Sequence, residues 1–248
     1  MVPRIPARFR PRGIDFLYED ADVVVIVKAE GILAVPTRKR ESFTAESAVT
    51  NYLRRGQARS PKHAYVVHRL DRETSGVMLF AKSEEAQERI KDNWSANEKI
   101  YLALVRGRPD PERGLLEHAL VEDEDLFVRV ARNPREGKPC RLEYETLASG
   151  EGISLVRVHL LTGRKNQIRV QFAAVGNPVV GDAKYGRDSP RERRLYLHAA
   201  HLAFDQPTTK ARLSFDASLP ESFQRRCRGL LKTANITRYE DLKNGLSR

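Results

Sequence analysis

The stretch His68-Arg69-Leu70-Asp71-Arg72-Glu73-Thr74-Ser75-Gly76 sets one acid between two arginines at the junction of two apolar runs. Upstream, Ala64 to Val67 reads as a short strand; downstream, Val77 to Ala81 reads as another, with Thr74, Ser75 and Gly76 as the turn. A carboxylate at such a junction is expected to be half buried. Burying it costs several kcal/mol unless a cation is held against it, and Arg69, Arg72 or an arginine distant in sequence can serve. Held in this way Asp71 stays ionised, the state in which a carboxylate works as nucleophile or base. Spacing alone leaves a purely structural ion pair equally open.

Two more stretches carry chemistry. Lys99, Tyr101, Ala103, Val105 and Gly107 alternate along a strand, so Tyr101 shares a face with the others. A tyrosine there is either a half-buried core residue or a surface on which a displaced base stacks, with a hydroxyl able to handle a proton. In Thr162-Gly163-Arg164-Lys165-Asn166-Gln167-Ile168-Arg169-Val170, a glycine turn leads into a helix predicted over 165–175. Ile168, Phe172 and Val175 give that helix an apolar face, and Arg169 falls in its second turn. His198 and His201 lie in a strand-like run, where three residues apart means opposite faces; with no third ligand nearby, no metal is expected. Phosphate loops and dinucleotide fingerprints are absent from the sequence.

The elements that must position these residues mix without regular alternation. Strand signals fall at 22–27, 64–67, 77–81, 100–105, 126–131, 141–147, 153–161, 197–204 and 211–216, and helix patterns at 43–54, 84–94, 165–175 and 220–231. Runs of strands between few helices predict an α+β fold on a mostly antiparallel sheet. Arg106–Gly114 and Asn133–Pro139, rich in Pro, Gly and charge, read as surface loops. Residues 1–14 read as a basic, proline-rich tail, and 15–248 as one domain with no separate domain ahead of it.

Composition narrows the partner. With 248 residues, 40% of them hydrophobic, the chain can bury a substantial core, while its longest apolar runs fall far short of the roughly 20 residues of a membrane span. A cytoplasmic protein is expected, and Cys140 and Cys227 alone make neither a disulfide framework nor a zinc site. The net charge of +11 points to a polyanion, with RNA or DNA ahead of a charge that serves only solubility. Arg4, Arg8, Arg10 and Arg12, and later Arg187, Arg191, Arg193 and Arg194, read as flexible phosphate-contacting arms.

His68 to Gly76 closely resembles the signature of RluA-type RNA pseudouridine synthases. Four further stretches resemble the same family. Val23–Val27 with Lys28-Ala29-Glu30-Gly31 looks like its strand ending in Lys-Pro-x-Gly, Ala29 replacing the usual proline at some cost in rigidity. The Tyr101 strand and the Gln167-Ile168-Arg169 segment match next. Gly181-Asp182-x-x-Tyr185-Gly186 and Leu197-His198-Ala199-Ala200 complete the resemblance, and read as scaffold. Lys165-Asn166-Gln167 and Gln171 depart from the common Thr-His-Gln and a later histidine, a change that bears on which RNA groups are contacted. Gln206 stands before Pro207 where a histidine is common.

The resemblance implies a pseudouridine synthase fold and the isomerisation of uridine in tRNA or rRNA without a cofactor. It makes Asp71 catalytic, places Tyr101 against the target uracil and pairs Arg169 with Asp71. His68 is expected to orient the catalytic turn by hydrogen bonding. Arg69 is placed to fill the gap left by an extruded nucleotide, and Arg72, Arg164, Lys165 and Asn166 are expected to contact RNA. Asp71 can act as nucleophile at C1′ or as base at C2′. A non-catalytic RNA-binding or RNA-folding factor is the alternative, and a base-releasing glycosylase with Glu73 as second acid a more distant one. A monomer with no obligatory protein partner is expected, since no exposed apolar stripe stands out.

Overall fold

The computed structural model describes residues 11–37, 41–186, 192, 194–233 and 242. The chain divides into two compact units, one of residues 1–97 and 201–217, the other of residues 98–200 and 218–248. Arg4, Arg8, Arg10, Arg187, Arg191 and Arg193 lie outside the described residues.

In the first unit the apolar run predicted at 22–27 forms strand β2 (Val23–Lys28), which is buried along nearly its whole length. It pairs antiparallel with β1 (Ile14–Glu19) on one side and with β4 (Ser75–Ala81) on the other. A two-residue strand, β3 (Tyr65–Val66), pairs with the far end of β4. Helices α1 (Ala45–Arg54) and α2 (Glu84–Asp92) start at Thr44 and Ser83, whose hydroxyls accept from the backbone three residues on. The unit also holds the second half of β10 (Leu197–Asp205) and its antiparallel partner β11 (Arg212–Asp216). Val23, Val25, Leu79, Ile90 and Phe204 are the centre of its core.

Strand β1 was not foreseen, because Ile14-Asp15-Phe16-Leu17-Tyr18-Glu19 is only half buried and its alternation is weak. Its start explains the entry of the chain: the Ala29 amide donates to Gly13 O at 2.8 Å, and Ile14 N to Pro11 O at 3.3 Å. The proline the family usually carries at position 29 has no amide hydrogen, so it would lose the first of these bonds.

The second unit is a meander in the order β5 (Glu98–Arg106), β9 (Ile153–Leu160), β8 (Lys138–Gly150), β6 (Arg113–Glu122) and β7 (Val128–Val130). Neighbouring strands in it run antiparallel. Glu151 and Gly152, both at positive φ, close the tight β8–β9 turn. Strand β6 was missed. Leu115-Leu116-Glu117-His118-Ala119-Leu120-Val121 does not alternate cleanly, and it is extended because β8 pairs with it from Arg113 to Leu120. Helix α3 (Gln167–Ala174) and helix α4 (Glu221–Thr233) complete the unit, with Leu104, Leu155, Tyr196, Phe223 and Leu230 in its main core.

Helix α3 departs from its predicted form. It begins at Gln167, so Arg169 lies in the first turn, and residues 167–172 are all buried while Val175 is exposed. The helix is therefore enclosed rather than amphipathic. None of the described helices is long and apolar enough to cross a membrane.

Candidate active site

Ser75 and Gly76 belong to β4, and the turn before it runs from Asp71 to Thr74, closed by Thr74 N donating to Asp71 O at 3.1 Å. Asp71 is half buried, as expected, with Arg69 and Arg72 exposed on either side. His68 orients the segment by hydrogen bonding: its Nε2 accepts from Leu79 N at 3.1 Å, just past the two-residue β3–β4 ladder. That bond places the ring proton on Nδ1. The ring stacks on Trp94 with centroids 4.8 Å apart.

Beneath the turn lies the lysine of the Lys28-Ala29-Glu30-Gly31 motif, for which the sequence alone suggests no role. Lys28 is fully buried at the end of β2. Its Nζ donates to Ile32 O at 2.8 Å, Ala29 O at 3.0 Å and Arg72 O at 3.3 Å. Gly31 N adds a bond to Arg72 O at 2.8 Å, and Arg72 Nε returns one to Gly31 O at 3.2 Å. Gly31, at φ +82°, turns the chain back for this exchange. The first motif thus clamps the main chain one residue after Asp71. Burial pushes the Lys28 ammonium down from 10.5 to about 8, against the opposing pull of Asp71, Glu73 and Glu30.

The second unit holds Tyr101, Arg164, Lys165, Asn166 and Arg169. Tyr101 is 9% exposed on β5, opposite Val158. Arg169 is buried and forms a two-pronged ion pair with Asp182: Nε to Oδ2 at 2.7 Å and Nη2 to Oδ1 at 2.8 Å. Its Nη1 reaches Asn166 Oδ1 at 3.4 Å, and its guanidinium carbon lies 5.2 Å from the centre of the Tyr185 ring. Asp182 Oδ1 also accepts from Lys184 N at 2.9 Å and Tyr185 N at 3.0 Å. Asp182 is more than scaffold, since it fixes the rotamer of Arg169. Gly181 before it cannot be replaced: at φ +78°, an added Cβ would sit 1.8 Å from Arg194 O.

Asn166 adopts φ +53°, a conformation asparagine tolerates better than most residues, and its Nδ2 donates to Tyr185 OH at 2.9 Å. Lys165 is paired with Glu122 and also donates to Leu126 O at 3.2 Å. Arg164 is exposed, with Nε on Pro139 O at 3.2 Å.

Two departures from the family wording turn out to be internal. Gln171 is fully buried, its Nε2 on Leu116 O at 3.0 Å and against His118 Nδ1 at 3.1 Å, so it ties α3 to β6 and meets no solvent. Gln206 Nε2 donates to Asp22 Oδ2 at 2.6 Å while its Oε1 accepts from Thr208 N at 2.7 Å, which closes its turn. Arg194, read as part of a flexible arm, is held by Ser222 Oγ at 2.8 Å and lies over Tyr196. His201 pairs with Asp216 across β10 and β11 at 2.7 Å.

The RNA pseudouridylate synthase family matches residues 22–174, from β2 through α3. An uncharacterised RNA pseudouridine synthase of Mycoplasma pneumoniae is 30% identical over 244 residues, covering 95% of this chain and 77% of its own length. The dual-specificity RNA pseudouridine synthase RluA of Escherichia coli is 33% identical over 206 residues, covering 81% of this chain and 91% of its own. Among solved structures, human RNA pseudouridylate synthase domain containing 4 shares the fold at a TM-score of 0.72 and 23% identity, over 88% of this chain and 93% of that one. With the motif around Asp71 inside the matched span and relatives alike over most of its length, the chain belongs to the RNA pseudouridylate synthases, and among them to the RluA type.

Proposed function

We propose that Asp71 is the carboxylate with which this enzyme isomerises uridine in RNA, that Tyr101 lies against the uracil, and that Arg169 is the cation serving the acid. The clamp of Lys28 and Gly31 on Arg72 O carries this reading: a buried charge and three hydrogen bonds are spent on the main chain beside one half-buried acid. A surface ion pair would need no such construction.

In the reaction the bond from N1 to C1′ breaks, the uracil turns, and C5 joins C1′; C5 loses a proton, N1 gains one, and no other atom is added. Asp71 acts on the ribose, as nucleophile at C1′ or as base at C2′. The target nucleotide leaves its stack, at a cost of about a few kcal/mol, and Arg69 takes the vacated place. Arg69 is exposed and has no hydrogen bond or ion pair among the described residues, which suits a side chain that stacks in RNA. Arg72, Arg164, Lys165 and Asn166 line the path of the RNA, a tRNA or an rRNA. Residues 15–248 work together as one cytoplasmic, monomeric catalyst that needs no cofactor and no protein partner.

The test is pseudouridine mapping across total RNA from cells with and without the gene, with rescue by wild type and by Asp71→Asn. Sites that vanish and return only with wild type support the assignment. Restoration by Asp71→Asn overturns it.

A further inference from the structure

Strands β6 and β7 and the loop ahead of α3 enclose a groove of about 460 Å³ in the second unit. Leu120 and Val128 in its lining are almost fully buried and belong to a small core with Cys140 and Val170. Its rim is charged, with Lys138, Arg164 and Lys165 facing Glu122 and Glu136. Lys165 and Glu122 neutralise each other. Lys138 has no side-chain hydrogen bond or ion pair among the described residues, and Glu136 meets only Asn133 Nδ2, at 3.3 Å. Arg164 is steadied through Nε on Pro139 O and through its own amide on Gln167 Oε1 at 3.0 Å. Lys138 and Glu136, with the outer edge of the Arg164 guanidinium, therefore remain available around the groove.

The groove shares a wall with the Arg169 cluster. Val128 N donates to Tyr185 OH at 3.3 Å, the same hydroxyl that receives Asn166 Nδ2, and the Tyr185 ring lies beside Arg169. We infer that this groove is a subsite for one nucleotide flanking the target uridine, and that it selects guanine. This rests on the reading of Arg169 as part of the isomerisation site.

Each charge has a counterpart in that ligand. The volume falls in the range of pockets for small ligands, roughly 300–1,000 Å³. Lys138 and Arg164 meet the phosphate. The base enters the groove, and Glu136 accepts from its Watson–Crick edge, which a base in a single-stranded loop exposes. Guanine presents N1–H and N2–H side by side, a match for the two oxygens of a carboxylate. Uracil offers one N–H between two carbonyls, which repel the same carboxylate, and adenine and cytosine offer only the amine.

The test treats unmodified transcripts of tRNA and rRNA with purified wild type, Glu136→Ala and Lys138→Ala, followed by pseudouridine mapping and RNA-binding titrations at several salt concentrations. Wild type is expected to modify uridines with guanine at one fixed neighbouring position. Glu136→Ala should lower that preference by about tenfold, and Lys138→Ala should weaken binding on all sequences and reduce the salt slope by about one. Glu136→Gln, which keeps the shape and removes the charge, supplies the same readout should the alanine variant fold poorly. Active wild type without a flanking guanine preference, or an unchanged preference in both Glu136 variants, overturns the subsite. Wild type that makes no pseudouridine at all instead overturns the catalytic reading, and the subsite with it.

Discussion

Asp71 and Asp182 both stand at the head of a tight turn, one in each unit, yet the two turns use their acids differently. At Asp71 the turn is closed by the main chain, Thr74 N on Asp71 O, so forming the turn does not consume the carboxylate. At Asp182 the main chain closes a turn too, with Gly186 N on Asp182 O at 2.9 Å, but here the side chain joins in, taking Lys184 N and Tyr185 N on Oδ1 while its two oxygens also receive the Arg169 fork. One carboxylate is 1% exposed and holds both its own turn and the Arg169 guanidinium; the other is half buried. The turn of the acid proposed to react is closed by main-chain atoms, whereas the Asp182 carboxylate takes part in closing its own.

The same substitution at both positions tests this contrast most sharply. Asp71→Asn is expected to lower the isomerisation rate by ~10³-fold or more while RNA binding and thermal stability stay near wild type. Asp182→Asn takes the two-pronged acid away from a buried guanidinium and should cost about 3–5 kcal/mol of stability, read as a lowered melting temperature. Equal losses of stability in the two variants would erase the distinction between a working acid and a structural one.

Lys28 holds the Asp71 turn from below, so if Asp71 is the acid its effect should appear in rate before binding. Lys28→Met is expected to reduce kcat with little change in KM, because three carbonyl oxygens lose their common donor and the turn loosens. Wild type should also lose activity as pH rises through about 8, where Lys28 sheds its charge, and that limb should be missing from Lys28→Met. The sign for stability is opposite. Folding depresses this pKa from 10.5, so the unfolded chain holds the proton more tightly, and the Lys28 contribution to folding becomes more favourable as pH rises from about 8 to 10.5. A wild-type rate profile flat from pH 7 to 9 would show that the charge of Lys28 does not serve Asp71.

What could be read in advance divides along physical lines. The continuous run Val23–Val27 and the run Val77–Ala81 announced β2 and β4, because strands buried on both faces need unbroken apolar sequence. Strand β6 hid its nature, since Leu115-Leu116 followed by Glu117-His118 owes its extended form to β8 and not to its own pattern. The motif around Asp71 was visible through its wording, since the acid between arginines alone leaves a structural ion pair equally open and only the family resemblance points to catalysis. The role of Lys28 was not: the resemblance includes it in the strand-ending motif, but a lysine at a strand end ordinarily reaches solvent, and only the cage of three carbonyls shows that this one does not. Asp182 left one signal, an acid bracketed by Gly181 and Gly186, but its partner lies on a helix of different register.

The smallest effect concerns the residue by which this clamp differs from the common wording. Ala29→Pro would restore the proline usual after the motif lysine, and a proline restricts the unfolded chain, which by itself stabilises by roughly 0.4–1 kcal/mol. In this protein the Ala29 amide donates to Gly13 O at 2.8 Å, tying the chain ahead of β1 to the turn that Lys28 grips. Losing that bond costs about 0.5–1.5 kcal/mol, so the net change should be a loss of at most about 1 kcal/mol, with activity nearly unchanged. Thermal melts of the two proteins measure it directly. A proline variant that melts higher would mean that the turn holds without the Gly13 tether, and that the Lys28 cage alone is sufficient to place the main chain beside Asp71.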